Sequence, residues 1–155
     1  MSTSADRPVA SPSPAAPPPY GPPISLDAAR RVMAAAEAEA SANGWRAVIA
    51  ILDTGANLVM LHRMDQANLG AVEISQRKAA AAVNFRRSTK VFEDTLVAGG
   101  AGIRMLTFAP ELIPVEGGVP LVEDGRVIGA VGVSGLSSSQ DGQVADAGAR
   151  AAGAS

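Results

Sequence analysis

VIAILDTGANLVMLHRMD, residues 48–65, and EGGVPLVEDGRVIGAVGVSG, residues 116–135, each read as two strands joined by a tight turn. In the first, Arg46 to Leu52 is apolar on both faces, which marks a strand covered on both sides. Asp53-Thr54-Gly55-Ala56-Asn57 supplies the turn, and Leu58 to Met64 returns beside it. In the second, Val119 to Glu123 and Arg126 to Ser134 flank Asp124-Gly125, a strong two-residue hairpin signal. Gly129 and Gly132 weaken a strand, so they imply close backbone approach by a ligand, a helix or another subunit.

Helical patterns surround these hairpins. Leu26, Ala29, Met33, Ala36 and Ala40 recur at helical spacing, predicting a helix over 26–42 with Ser25 as its cap and Asn43-Gly44 as its stop. Leu69 to Val83 reads as a second helix, with Leu69, Val72, Gln76, Ala79, Ala80 and Val83 along one side. Ser88 or Thr89 caps a third through about Leu96, and Gly99-Gly100-Ala101-Gly102 breaks it. Pro110 and Pro114 interrupt any regular element between 103 and 115. Ser139 to Ala152 reads as a last helix, capped by Ser138 or Ser139, with Asp141 in its first turn. The predicted order is α-β-β-α-α-β-β-β-α, an α+β domain with an antiparallel sheet and helices packed on its faces.

The 155 residues suffice for one domain. Residues 1–23 hold eight of the eleven prolines, so residues 1–24 are expected to be a disordered Pro/Ala/Ser-rich tail, with the domain over 25–155. Net charge is −2, and the only dense basic group is Arg86, Arg87 and Lys90. That argues against nucleic acid as a partner. No apolar run reaches the roughly 18–20 residues that span a bilayer, so no membrane partner is expected. The first residues do not have the pattern of a secretion signal. With no cysteines, disulfides, thiolate metal sites and a cysteine nucleophile are excluded. A cytoplasmic location is expected.

At this level the motifs resemble those of a known family. VIAILDTGANLV with Arg63-Met64-Asp65-Gln66-Ala67, VEISQRKA at 72–79, GGVPL at 117–121, GAVGVSG at 129–135 and Gln140-Asp141 are similar, in order, to the signatures of the GlcG/HbpS family, also called the haem-degrading family. The resemblance spans roughly residues 25–152. It implies a profilin-like fold with a five-stranded antiparallel sheet, homo-oligomers (octamers in some members), and haem as a possible cofactor. Four positions depart from the pattern. Gln66 stands where the family usually has Gly, and Ala56 replaces the second Gly of the first turn. Asn84 to Arg87 replaces a Thr-Ala-rich stretch, and Glu116 stands where Pro often precedes the Gly pair.

Three functions are compatible with these residues. The first is binding of haem or a related tetrapyrrole. His62, the only histidine, is then the candidate ligand to haem iron. Arg63 or Lys78 meets the acidic groups, and Gly117 and Gly118 offer backbone N–H groups. The pocket is expected near the Arg63–Asp65 strand end, the second helix and the Gly117-Gly118 turn, at a subunit interface. The second is an enzyme acting on a small organic acid, with Arg63 binding the carboxylate and Asp65, Glu73, Lys78 or Glu116 as acid or base. The third is a non-catalytic assembly module. Plainer roles stand beside each: His62 hydrogen-bonded or solvent-facing, Arg63 in an ion pair, Ser75 and Lys78 bonded along their helix, Gly117-Gly118 a bulge, Gln140 and Asp141 caps, and Glu37 and Glu39 a solvated helix face.

Overall fold

The computed structural model describes residues 15–153. Four strands form one antiparallel sheet: β1 (Val48–Asp53), β2 (Leu58–Arg63), β3 (Gly118–Glu123) and β4 (Arg126–Ser134), in spatial order β2-β1-β4-β3. The first hairpin is β1–β2 and the second is β3–β4. The two are zipped together by β1 against β4, from Val48↔Ser134 to Asp53↔Gly129. The two central strands are the two most apolar ones, as burial on both faces requires.

The expected fifth strand is absent among the described residues. Gly100–Arg104 forms a 3-10 turn that runs into α4 (Met105–Phe108), so the stretch between the third helix and Gly118 never extends beside the sheet. Gly99 and Gly100 take positive φ (72° and 62°) and turn the chain from α3 (Lys90–Ala98) into this compact loop.

Helices cover both faces. Helix α1 (Leu26–Ala42) and α5 (Ser138–Arg150) lie on one face, where Val32, Met33, Ala36, Val144 and Ala145 pack on Ile49, Ile51, Leu121, Val131 and Val133. Helix α2 (Ala71–Phe85) lies on the other, where Ala79, Ala82 and Val83 meet Ala50, Leu52, Val127 and Ala130. Where α2 crosses it, the sheet carries the small residues Ala50, Ala130 and Gly132, so the helix sits close. A Cβ at Gly132 would overlap the Ser75 carbonyl. The glycine signal in β4 is therefore answered by a helix at Gly132, and at Gly129 by the Leu52 backbone of β1.

The caps follow the local chemistry. The Ser25 side chain accepts from Ala28 N–H at 3.1 Å. Helix α5 is capped by Ser137, one or two residues before the expected Ser138 or Ser139, in a capping box with Gln140. Of the stripe expected on α2, Ala79 and Val83 are buried, but the buried face is broader, taking in Ala71, Ser75, Lys78, Ala81 and Ala82, and it carries two polar residues inward.

The tail boundary also moves. Residues 1–14 lie outside the described residues. Pro19 to Ile24, however, runs along β4: Val127 N–H donates to Pro19 O, Gly21 N–H to Val127 O, and Ile24 N–H to Ile128 O, each at 2.8 Å. Ile24 is buried in the core. Proline content suggested disorder, but these prolines leave the intervening N–H groups free to pair. No helix among the described residues is long and apolar enough to cross a membrane.

Candidate functional site

Strand β2 places His62 and Arg63 next to each other, and strand periodicity sends them to opposite faces. His62 pairs with Ile49, whose side chain belongs to the α1/α5 core, and Arg63 pairs with Val48, which packs with Ala67 and Ala71 at the start of α2. The two cannot serve one ligand within one protomer.

On its face, His62 borders a cleft of about 250 Å³ with Arg30, Met33, Ala34, Glu37 and Met60. Its Nδ1 lies 2.6 Å from Glu37 Oε1 on α1. His62 is 48 % exposed and Glu37 36 %, so the pair sits at the rim of the cleft. The carboxylate fixes the ring and leaves Nε2 as the nitrogen to meet a ligand. The methionines supply soft, polarisable walls. Glu37 was expected to be a solvated face. Its spacing from His62 in sequence carries no signal, and only the packing of α1 on β2 brings them together.

On the opposite face, Arg63 and Asp65 border an open cleft of about 510 Å³ with Gln66, Ala67 and Leu69. Gln66 takes φ +69°, a left-handed conformation that glycine adopts without strain. Ala56 takes φ +61°.

Within one protomer, the cavity expected to unite Arg63 with Gly117, Gly118 and Lys78 is not formed. Arg63 and Gly118 share one end of the sheet but stand on its two edge strands, three strand spacings or roughly 14 Å apart. Neither glycine offers an open anion nest. The N–H groups beside them are engaged, Gly118 N–H with Thr89 Oγ1 at 2.9 Å and Glu116 N–H with Glu93. Gly117, at φ +126°, is packed against Val133, Asp141 and Lys78, and a Cβ at Gly118 would overlap the Lys78 backbone. Their role is close packing.

That packing surrounds Lys78. Its side chain, 2 % exposed, reaches past the start of β3 to Asp141 on α5, itself 3 % exposed, at 2.8 Å. Lys78 Nζ also donates to Glu116 O at 2.8 Å, and Asp141 Oδ1 accepts from Leu136 N–H at 3.1 Å. Burial raises the Asp141 carboxyl to about 6, against the lowering pull of Lys78. In sequence, Asp141 in the first turn of α5 looks like a cap, and its distance of sixty-three residues from Lys78 hides the pair. Ser75 shares the buried face but bonds Val72 O within its own helix.

Within one protomer the acid–base candidates therefore do not converge. Arg63 and Asp65 flank one cleft. Glu73 is 80 % exposed and 4.0 Å from Arg77. Lys78 is enclosed. Glu116 lies beside Lys90 (3.9 Å), with burial raising its pKa above the usual carboxylate range. Among the described residues no group of His, Asp and Glu side chains is arranged to hold a metal ion on its own. The basic group also disperses: Lys90 pairs with Asp94 at 3.0 Å, and Arg86 packs on Tyr20.

Comparison with known proteins agrees with this architecture. The sequence profile described as "Haem degrading protein HbpS-like" matches residues 24–150. Protein GlcG of Escherichia coli K12 is 45% identical over 111 residues, 72% of this chain and 81% of its own. Among solved structures, the Klebsiella pneumoniae protein ORFY superposes with a TM-score of 0.80 at 28% identity, covering 95% of this chain and 99% of its own. The PduOC:heme complex superposes at 0.76 and 27% identity, over 83% and 94%.

Proposed function

The chain belongs to the HbpS-like family, and from that premise we propose that it is a small-molecule-binding protein whose ligand is haem or a related planar tetrapyrrole. The structural neighbour solved with haem supports the ligand class. The observation in this chain that carries the reading is the Glu37–His62 pair at the rim of a methionine-walled cleft. A carboxylate on Nδ1 makes the imidazole a better donor through Nε2, and haem iron takes such an axial ligand. Arg30, on the same cleft, replaces Arg63 as the cation for an acidic substituent.

The cleft is smaller than the roughly 300–1,000 Å³ typical of small-molecule sites. A tetrapyrrole on His62 therefore keeps one edge outside, where a second copy can cover it. Self-association is part of the proposal. Val97, Ile103, Leu106 and Phe108 leave an apolar surface open along α3 and the loop after it.

Titration with hemin tests the ligand. The expected result is a saturable Soret band whose position shifts and whose affinity falls in His62→Ala. A titration with no saturable band overturns the haem reading. A band unchanged in His62→Ala moves the ligand to another site.

A further inference from the structure

Strand β4 outruns its neighbour. Pairing with β1 ends at Asp53↔Gly129, so Arg126–Ile128 present a free edge on that side. Such an edge is a template for another strand. The arm Pro18–Gly21 fills it, parallel to β4, through both the N–H and the carbonyl of Val127.

The arm is read by more than its backbone. Tyr20 Oη donates to Val83 O at 2.8 Å and Asn84 O at 3.1 Å, two carbonyls in the last turn of α2, of which Val83 O also accepts from the Arg86 N–H at 3.3 Å. Arg86, at the left-handed cap of that helix, sits 5.0 Å from the centre of the Tyr20 ring and donates to Pro18 O at 3.1 Å. Gly21 is required by space, since a Cβ there would lie 2.8 Å from Arg126 Cβ. Prolines at 17, 18, 19, 22 and 23 hold the segment extended and reduce the entropy lost on docking. Every hydrogen bond of Pro18–Gly21 named here ends on α2 or β4, and none on α1, the helix to which the arm is joined. The groove is therefore complete without the covalent link.

We propose that this groove is a recognition site for an extended, proline-flanked Tyr-Gly segment, and that the occupant it takes in trans is the arm of a second copy of this chain. The mode is strand addition to a sheet edge, with one aromatic anchor and one glycine setting specificity. In the closed chain its own arm competes for the groove.

The test uses the full-length chain and a fluorescent peptide of residues 15–24. Peptide anisotropy should show saturable binding to the Tyr20→Ala chain and binding at least about tenfold weaker to the wild type, whose groove is already filled. Adding Arg86→Ala to the first chain should abolish binding, as should alanine for tyrosine in the peptide. Rising wild-type chain should displace the peptide from the Tyr20→Ala chain, and Tyr20→Ala chain itself should not. If Tyr20→Ala does not fold, Tyr20→Phe, which loses only the two hydroxyl bonds, takes its place under the same criteria. Equal binding to both chains, no binding to the variant, or indifference to Arg86 overturns the site. Failure of wild-type chain to displace the peptide overturns exchange between copies.

Discussion

Lys78 on α2 and Asp141 on α5 belong to helices on opposite faces of the sheet, yet their charged atoms meet at 2.8 Å around the glycine start of β3. The pair ties the two helical layers together. A buried pair of this kind is costly to form and costlier to halve, because removing one partner strands the other charge. Asp141→Leu, which removes the acceptor of both Lys78 Nζ and the Leu136 N–H, is expected to lower stability by about 3–5 kcal/mol in urea unfolding, and Lys78→Met by a comparable amount. The double variant Lys78→Met/Asp141→Leu should lose much less than the sum, and strictly additive losses would count against coupling.

The same pair sets a pH dependence. Burial raises Asp141 from the ordinary 3.8 to about 6 in the folded state. The unfolded chain releases this proton first, so between about pH 4 and 6 the folded state binds more protons and stability falls as pH rises. The contribution is fully present below the unfolded pKa and lost through the folded one. A shift of about two units corresponds to about 3 kcal/mol. Burial displaces Glu116 in the same direction. The measurement is therefore the difference in urea midpoints between wild type and Asp141→Asn at pH 4, 5, 6 and 7. Parallel profiles would remove Asp141 as the source.

Among the described residues Ala56, Gln66, Arg86 and Asp124 carry side chains at left-handed backbone positions that glycine takes freely, and the first two flank one strand. Ala56 (φ +61°) and Gln66 (φ +69°) sit in the turns before and after β2. A left-handed conformation costs a non-glycine residue about 1–2 kcal/mol, partly offset by the smaller entropy of the unfolded chain. Ala56→Gly and Gln66→Gly are each expected to stabilise by up to about 1 kcal/mol. They lie at opposite ends of one strand, so their effects should add. Thermal unfolding of the two single variants and the double checks both claims.

Glycine in β4 and at the start of β3 shows what the sequence could and could not reveal. Hairpins, central strands and α1 were legible, because apolar periodicity and turn residues are local. The demand for close approach at Gly132 was legible too, but its cause was not. That cause is the Ser75 backbone, more than fifty residues away, and only packing brings it there. For the same reason Glu37–His62 and Lys78–Asp141 were invisible, each joining elements distant in sequence. The fifth strand failed because Gly99 and Gly100 turned a proline-broken stretch into helical loop. Gly132→Ala should push α2 off the sheet and cost about 1–3 kcal/mol, the usual range for overpacking. The Gly44→Ala control, where no atom lies within 4 Å and φ is +71°, carries backbone strain alone and should cost less. Equal losses would mean that α2 yields without penalty.

Glu37 offers a way to separate ligand chemistry from folding. Its bond to His62 lies at a half-exposed rim, so breaking it should change stability by no more than about 1 kcal/mol. Its effect on a ligand at Nε2 should be larger, because carboxylate partners of ligating histidines typically contribute 10–100-fold in affinity. Glu37→Gln keeps a hydrogen-bond acceptor for Nδ1–H but removes the negative charge, lowering the donor strength of the ring. In hemin titrations it should weaken binding by about tenfold and alter the Soret position less than His62→Ala. His62→Ala and the double Glu37→Gln/His62→Ala should bind equally, since without the imidazole the carboxylate has nothing to act through. A further loss in the double variant would assign Glu37 a separate, direct effect on the ligand.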